Sequence, residues 1–450
     1  MTPLDTQEIV RFEQDHVLHP WSAQKNFKPF VVAGGLGVHF WDDKGKRYLD
    51  FCSQLFNVNA GHQHPRIIQA IKDQAEKLCY AYPSAATEPR AKLAKMLADI
   101  APGDIDSVLF MNCGAEANEN AVRMARAVTG RHKIIARYRG FHGGAAGAAV
   151  FGDPRRRAFE PYVQGGIRVW DPYCYRCFFR MTYPACGLYC AEAIREVIEV
   201  EGPETIAAIM MEPITGSNCR IVPPEGYMQR LRRICDDYGI LLILDEVMTG
   251  FGRTGKWFAA DLWNVVPDMI TSSKGITNGA LPLGVVMVRR KVAEYFDDRI
   301  LYAGSTQMGN PIVAAAAVAA IEVYRDEGLV ENSRVLGRYL MERLERIRDQ
   351  HPSVGEVRGK GLFAGIELVK NKETREPLIP WTVRYYEQKH PFAGRLLGKL
   401  KEDGLFVEMR WNVLMVAPPL CIGKEDLDKG LGKIDQALAI ADDFAKGDKG

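Results

Sequence analysis

No stretch of this 450-residue chain is apolar for the roughly eighteen residues that a membrane-spanning helix needs, so no membrane-embedded protein is expected. Nor does one sign of charge prevail. The 58 lysines and arginines nearly balance the 56 acidic residues, and a formal net charge of +2 gives no reason to expect a nucleic-acid or anionic-membrane partner. The opening residues, MTPLDTQEIVRFEQDHVLHPW, lack the apolar centre of a secretion signal, which makes the cytoplasm the expected location. No internal repeat or low-complexity linker interrupts the chain. Cysteine is present but uneven. Of ten, six are scattered and four cluster as Cys174, Cys177, Cys186 and Cys190 in DPYCYRCFFRMTYPACGLYC. The spacing CxxC, then CxxxC, could hold zinc or an iron–sulfur cluster; the plainer reading is a loop with small part-buried thiols, and no metal is assigned to it. Disulfides are not expected in a reducing cytoplasm.

What is there is ordinary globular composition, 47% hydrophobic and 25% charged, in a chain long enough for two domains. Residues 66–330 alternate amphipathic helices with short apolar runs such as Lys133–Arg137, Ile206–Met211, Leu241–Leu244 and Gly284–Val288. That alternation predicts an α/β fold with a mostly parallel central sheet covered on both faces. Ligands then bind outside the carboxyl ends of the strands. Residues 331–450 predict a smaller α/β domain, completed by strands from an N-terminal segment, 1–65, that also carries a helical arm.

The most informative stretch is LLILDEVMTGFGRTGKWFAADLWNVVPDMITSSKGITNGALPLG, residues 241–284. Its apolar run stops at Asp245, which places a carboxylate at the end of a buried strand. Further on, Lys274 stands alone among small residues in Thr271-Ser272-Ser273-Lys274-Gly275. A lysine amine of this kind suits a Schiff base with pyridoxal phosphate, and the aspartate suits the protonated pyridine nitrogen that makes the ring an electron sink. Met111-Asn112-Cys113-Gly114-Ala115-Glu116 is a small-residue turn at a helix start, where the free amides of Gly114 and Ala115 and the helix dipole favour a phosphate.

In wording, DEVMTGFGRTGKWFA with PDMITSSKGI and LPLG resembles the class III (omega-amino-acid) aminotransferases, within fold-type I of the pyridoxal-phosphate enzymes. The HPW arm, LDFCSQLFNVNAGHQHP and the CYRC loop extend the resemblance over nearly the whole chain, toward the taurine aminotransferases of that class. It implies that Lys274 and Asp245 are catalytic. It implies that Phe141 of Phe141-His142-Gly143 stacks on the ring, that Val247 covers the other face, and that Glu212 lies near the substrate. Thr306, in Gly304-Ser305-Thr306-Gln307, matches a segment that reaches a neighbouring subunit's phosphate, which implies a homodimer with shared active sites. The chain departs from the family pattern at Cys113, where a serine is usual, at Gly144, where threonine or serine is usual, and at Ala303 near the Gly304-Ser305 pair.

The resemblance further implies transfer of the amino group of taurine to 2-oxoglutarate or pyruvate. β-Alanine, GABA or another omega-amine with pyruvate is the alternative within the fold, and a metal-binding protein using the four cysteines is the alternative outside it. An arginine suits a carboxylate or a sulfonate. Arg410, ahead of Pro418-Pro419-Leu420 by a shorter spacing than is usual, and Arg156, in the run Arg155-Arg156-Arg157, are the candidates for substrate binding, with Trp21 as a roof.

Overall fold

The computed structural model describes residues 4–149, 151–158, 164–380 and 390–447. The arm begins with the helix Thr6–His16, closed at its start by a reciprocal pair: Asp5 accepts from the Glu8 amide and Glu8 from the Asp5 amide. Three short antiparallel strands follow, β1 (Val32–Leu36), β2 (His39–Asp42) and β3 (Arg47–Asp50). The predicted DDKG turn joins the last two. The Asp42 carboxylate accepts from the amides of Lys44 and Lys46, and Gly45 takes φ +77°.

The central sheet has seven strands: β4 (Ile105–Met111), β5 (Lys133–Arg137), β6 (Gly166–Val169), β7 (Ile206–Met211), β8 (Leu241–Asp245), β9 (Met269–Ser272) and β10 (Gly284–Arg289). Their order is β4-β10-β9-β8-β7-β5-β6. All run one way except β10, which is antiparallel to both neighbours. Every residue of β7 and β8 is buried, as expected of strands covered on both faces. Because β10 runs backward, its first residue meets the turn after β4. A Cβ on Gly284 would sit 2.2 Å from the Cys113 carbonyl oxygen, so only glycine fits there. The strands β6 and β9, four residues each, are too short to carry a periodic signal and escape prediction.

The C-terminal part has its own antiparallel sheet of β11 (Val354–Gly359), β12 (Ala364–Asn371), β13 (Glu376–Pro377), β15 (Glu408–Arg410) and β16 (Val413–Val416). The run 405–408, expected as one strand, divides. Leu405–Phe406 (β14) pairs in parallel with β3 of the N-terminal sheet, and β15 pairs with β16. One extended segment thus links the two chain ends. The expected last helix, 424–445, breaks at Leu438 into Lys424–Ala437 and Ala439–Ala445. The strand expected at 30–32 begins instead at Val32. Among the described residues no helix is long and apolar enough to cross a membrane.

Candidate active site

The ends of β4, β5, β7, β8 and β9 deliver their next residues to one edge of the central sheet. Asp245, the last residue of β8, is buried there with both oxygens engaged. Oδ2 accepts from Asn118 Nδ2 at 2.7 Å and lies 2.8 Å from His142 Nδ1; Oδ1 accepts from the Val247 amide at 3.0 Å. Asn118 also donates to the His142 carbonyl at 2.9 Å, and its own carbonyl accepts from Thr271 Oγ1 at 2.5 Å. Strands β8 and β9 and the loop after β5 are thereby tied through one amide on the helix Gly114–Thr129. His142 Nε2, buried, has no hydrogen-bond partner among the described residues. Beside Asp245, the fully buried Glu246 accepts from Thr249 and from the amides of Ala259 at 2.9 Å and Ala260 at 2.8 Å, which anchors the loop leaving the strand.

Lys274 follows β9 and is largely buried. Burial pushes its amine down to about 8, with Arg220 acting in the same direction and Asp245 and Glu212 opposing. Its φ of +48° is a left-handed conformation that a lysine adopts only when its surroundings impose it. Glu212, at the end of β7, is buried too. Its Oε1 accepts from the Gly216 amide at 2.7 Å and Oε2 from the Phe141 amide at 3.1 Å, while burial pushes its carboxyl up to about 7. Glu212 is therefore not a solvated surface glutamate.

No side chain caps the helix that starts at Gly114; Cys113 before it contributes only its carbonyl, which accepts from the Ala117 amide at 3.0 Å. The approach is close on both sides. A Cβ on Gly114 would fall 2.7 Å from Val247, and one on Gly143, at φ +121°, 2.4 Å from the Ala115 methyl. Gly114 is thus packed against Val247, and Gly143 against Ala115.

The substrate side is organised by residues that the motifs passed over. Arg155, not Arg156, lies over the Phe141 ring at 3.7 Å, and Trp21 faces the same guanidinium at 5.1 Å. Arg155 donates from Nε and Nη2 to the two oxygens of buried Asp153, at 2.8 and 2.5 Å. Asp153 also accepts from Asn218 at 2.9 Å and stands 3.6 Å from Arg410 Nη2. Arg156 turns toward backbone, with Nη1 3.5 Å from the Gly152 carbonyl. Arg155 and Asp153 carried a signal, an acid two residues before an arginine, but nothing in it pointed at Phe141. Thr306 is exposed; its carbonyl accepts from Tyr80 at 3.1 Å, and neighbouring Ser305 accepts from Asn112 at 2.7 Å. The four clustered cysteines border one narrow pocket with Tyr173 and Tyr189, and among the described residues no three His, Cys, Asp or Glu side chains are arranged to hold a metal.

The model of the class-III aminotransferases matches residues 22–438. The chain is a class-III aminotransferase. A taurine:2-oxoglutarate aminotransferase from Bifidobacterium kashiwanohense, solved with PLP and glutamate, superposes with a TM-score of 0.93 at 39% identity, over 98% of this chain and 99% of that one. A leucine/methionine racemase from Thermococcus litoralis is 35% identical over 98% of both chains. The taurine–pyruvate aminotransferase of Bilophila wadsworthia is 34% identical over 97% of this chain and 98% of its own. The aminotransferase is accordingly a fold-type I, pyridoxal-phosphate-dependent enzyme that moves an amino group from a small-molecule donor to an acceptor. The residues present fit that cofactor: a largely buried lysine of lowered basicity, a buried carboxylate, and a helix start where glycines leave no room for side chains.

Proposed function

We propose that the aminotransferase takes taurine as amino donor, giving sulfoacetaldehyde, and 2-oxoglutarate as acceptor. The observation that carries this reading is the cationic group beside Phe141: Arg155 and Arg410 gathered on Asp153, with Arg156 adjacent. Such a group suits donors and acceptors that bear a sulfonate or carboxylate. The likeness to the two taurine enzymes supports the choice of donor. β-Alanine or GABA with pyruvate is the reading it displaces.

The roles follow from the geometry. Lys274 would hold pyridoxal phosphate through Nζ, Gly114 and Ala115 would offer amides to its phosphate, and Phe141 and Val247 would enclose its ring. When bound, the cofactor supplies an electron sink for the carbon that carries the amine. Asp245, fixed by Asn118, His142 and the Val247 amide, holds a negative charge in a buried place and so keeps a proton on a facing ring nitrogen. Lys274, with basicity near neutral pH, removes a proton from the substrate carbon and returns one. His142, against Asp245, belongs to the cofactor side, and Glu212, Trp21, Arg156 and Arg410 frame the substrate side.

A homodimer belongs to the same proposal. Leu55, Tyr82, Ile300 and Tyr302 are strongly exposed apolar side chains, and Tyr80 binds the Thr306 carbonyl among them. In a second copy Thr306 would reach the partner's phosphate. The division into 1–65, 66–330 and 331–450 is carried along with it, as is a cytoplasmic location, which suits ten free thiols.

The test is a half-reaction without acceptor. Holoenzyme mixed with taurine or glutamate should lose its yellow absorbance, whereas β-alanine should leave it. Bleaching by β-alanine or GABA and not by taurine would transfer the donor role to them. A racemase would instead exchange the substrate's α-proton with solvent and never need a keto acid.

A further inference from the structure

Among the buried cations outside the group on Asp153, Arg220 stands out. Arg220 has no exposed surface. Its guanidinium is stacked between the rings of Phe363 at 3.8 Å and Phe56 at 4.4 Å. Nη1 donates to the Gly216 carbonyl, and Gly216 in turn donates to Glu212. Nε and Nη2 are buried and have no hydrogen-bond partner among the described residues. Those two N–H groups form the side of the fork that matches a two-oxygen anion. Elsewhere in this chain the same edge is used in that way: Arg155 turns Nε and Nη2 to Asp153, and Arg334 turns them to Glu331. In Arg220 both faces are covered by aromatic rings and the edge is left vacant.

Among the described residues no carboxylate forms an ion pair with it. The carboxyl that bears on it is Glu212, which two backbone amides already hold and which burial pushes up to about 7. Buried Arg137 differs, since Asp171 shares its field. The backbone around Arg220 is also strained. Cys219 and Arg220 take φ of +74° and +52°, and in the segment that covers Arg220, Ser53, Gln54 and Phe56 take +48°, +55° and +61°. Strain of this kind persists where the surroundings over-determine it, and it gathers at ligand sites. The position borders the reaction, because the charge of Arg220 bears on both Lys274 and Glu212.

We propose that the vacant Nε/Nη2 edge of Arg220 binds the acid group of the substrates, a carboxylate or a sulfonate, with Phe56 moving off one face to admit it. Arg220 is then a second anion-reading group, besides the arginines on Asp153, and a two-ended acid such as 2-oxoglutarate has a cation for each end. The proposal rests on the reading of acidic donors and acceptors and deepens it.

The test uses holoenzyme, wild type, Arg220→Met and Arg220→Lys. Glutarate and isethionate, acids with no amine or ketone, are titrated against the absorbance of the bound cofactor, and kcat/KM is compared for taurine, glutamate and uncharged propylamine. Arg220→Met should weaken glutarate and isethionate about tenfold to a hundredfold and lower kcat/KM for the acidic amines alike. Propylamine should stay within about threefold. Arg220→Lys, a point charge without the fork, should fall between the two. If Arg220→Met does not fold, Arg220→Lys decides: unchanged glutarate binding overturns the proposal. Equal losses for charged and uncharged amines also overturn it, since Arg220 would then only pack. Failure of wild type with taurine but success with glutamate would remove the taurine reading and leave Arg220 to be judged on carboxylates.

Discussion

The two sides of the site are built on opposite plans. Around Asp245 both carboxylate oxygens are occupied, and Asn118 alone ties two strands and a loop to them. Around Arg155 and Arg220 aromatic rings lie on the cations, and beside Arg220 the residues Ser53, Gln54, Phe56 and Cys219 hold positive φ. The first arrangement suits a group that never leaves and must be held in one orientation. The second suits molecules that arrive with their own negative charge and go. A buried polar network that is fully satisfied is rigid; one that awaits a partner is a binding site.

The contrast can be broken, and the largest expected effect is at Lys274. Lys274→Ala should retain noncovalent cofactor and lose turnover by at least about a thousandfold, read by steady-state rate and by the shift of the cofactor absorbance. Wild-type-like turnover would remove Lys274 from the chemistry. Next, Arg155→Met should lower kcat/KM for an acidic amine about tenfold or more while sparing an uncharged one, because it frees Asp153 and uncovers Phe141. Equal losses would make Arg155 a packing residue and erase the distinction between the two sides. Asn118→Ala should act mainly on the cofactor side, lowering unfolding free energy by about 1–3 kcal/mol in a urea titration, since it leaves Asp245 short of a donor.

The smallest effect concerns Glu212 and depends on pH. Its carboxyl is raised to about 7 in the folded chain, against an ordinary value of 4.5. Between those values the folded state keeps a proton that the unfolded state has lost, so stability falls as pH rises from 4.5 to 7. Glu212→Gln cannot titrate. In cofactor-free protein the difference in stability between variant and wild type should move in the variant's favour by up to about 3 kcal/mol over that window and be level above it. A flat difference would mean that the glutamate is not held protonated.

Much of the cofactor side was legible before folding. An apolar run that halts at an acid, a lone lysine among small residues and a glycine turn at a helix start are local patterns, and each kept its place in the structure. Asn118 was quoted within its motif yet gave no sign of its part, because its partners Asp245 and Thr271 are distant in the chain. The substrate side was less legible. Three adjacent arginines look alike in sequence, and only the folded chain puts Arg155 above Phe141.

The sequence by itself determined the strand ends, the helix start, the family wording and so the cofactor chemistry, because those depend on residue type and short-range spacing. Only the tertiary structure decided which cations have carboxylates. Asp153 meets Arg410, and Phe56 and Phe363 meet Arg220, each across more than a hundred residues of chain. Charge pairing depends on distance in space, and no local pattern encodes it.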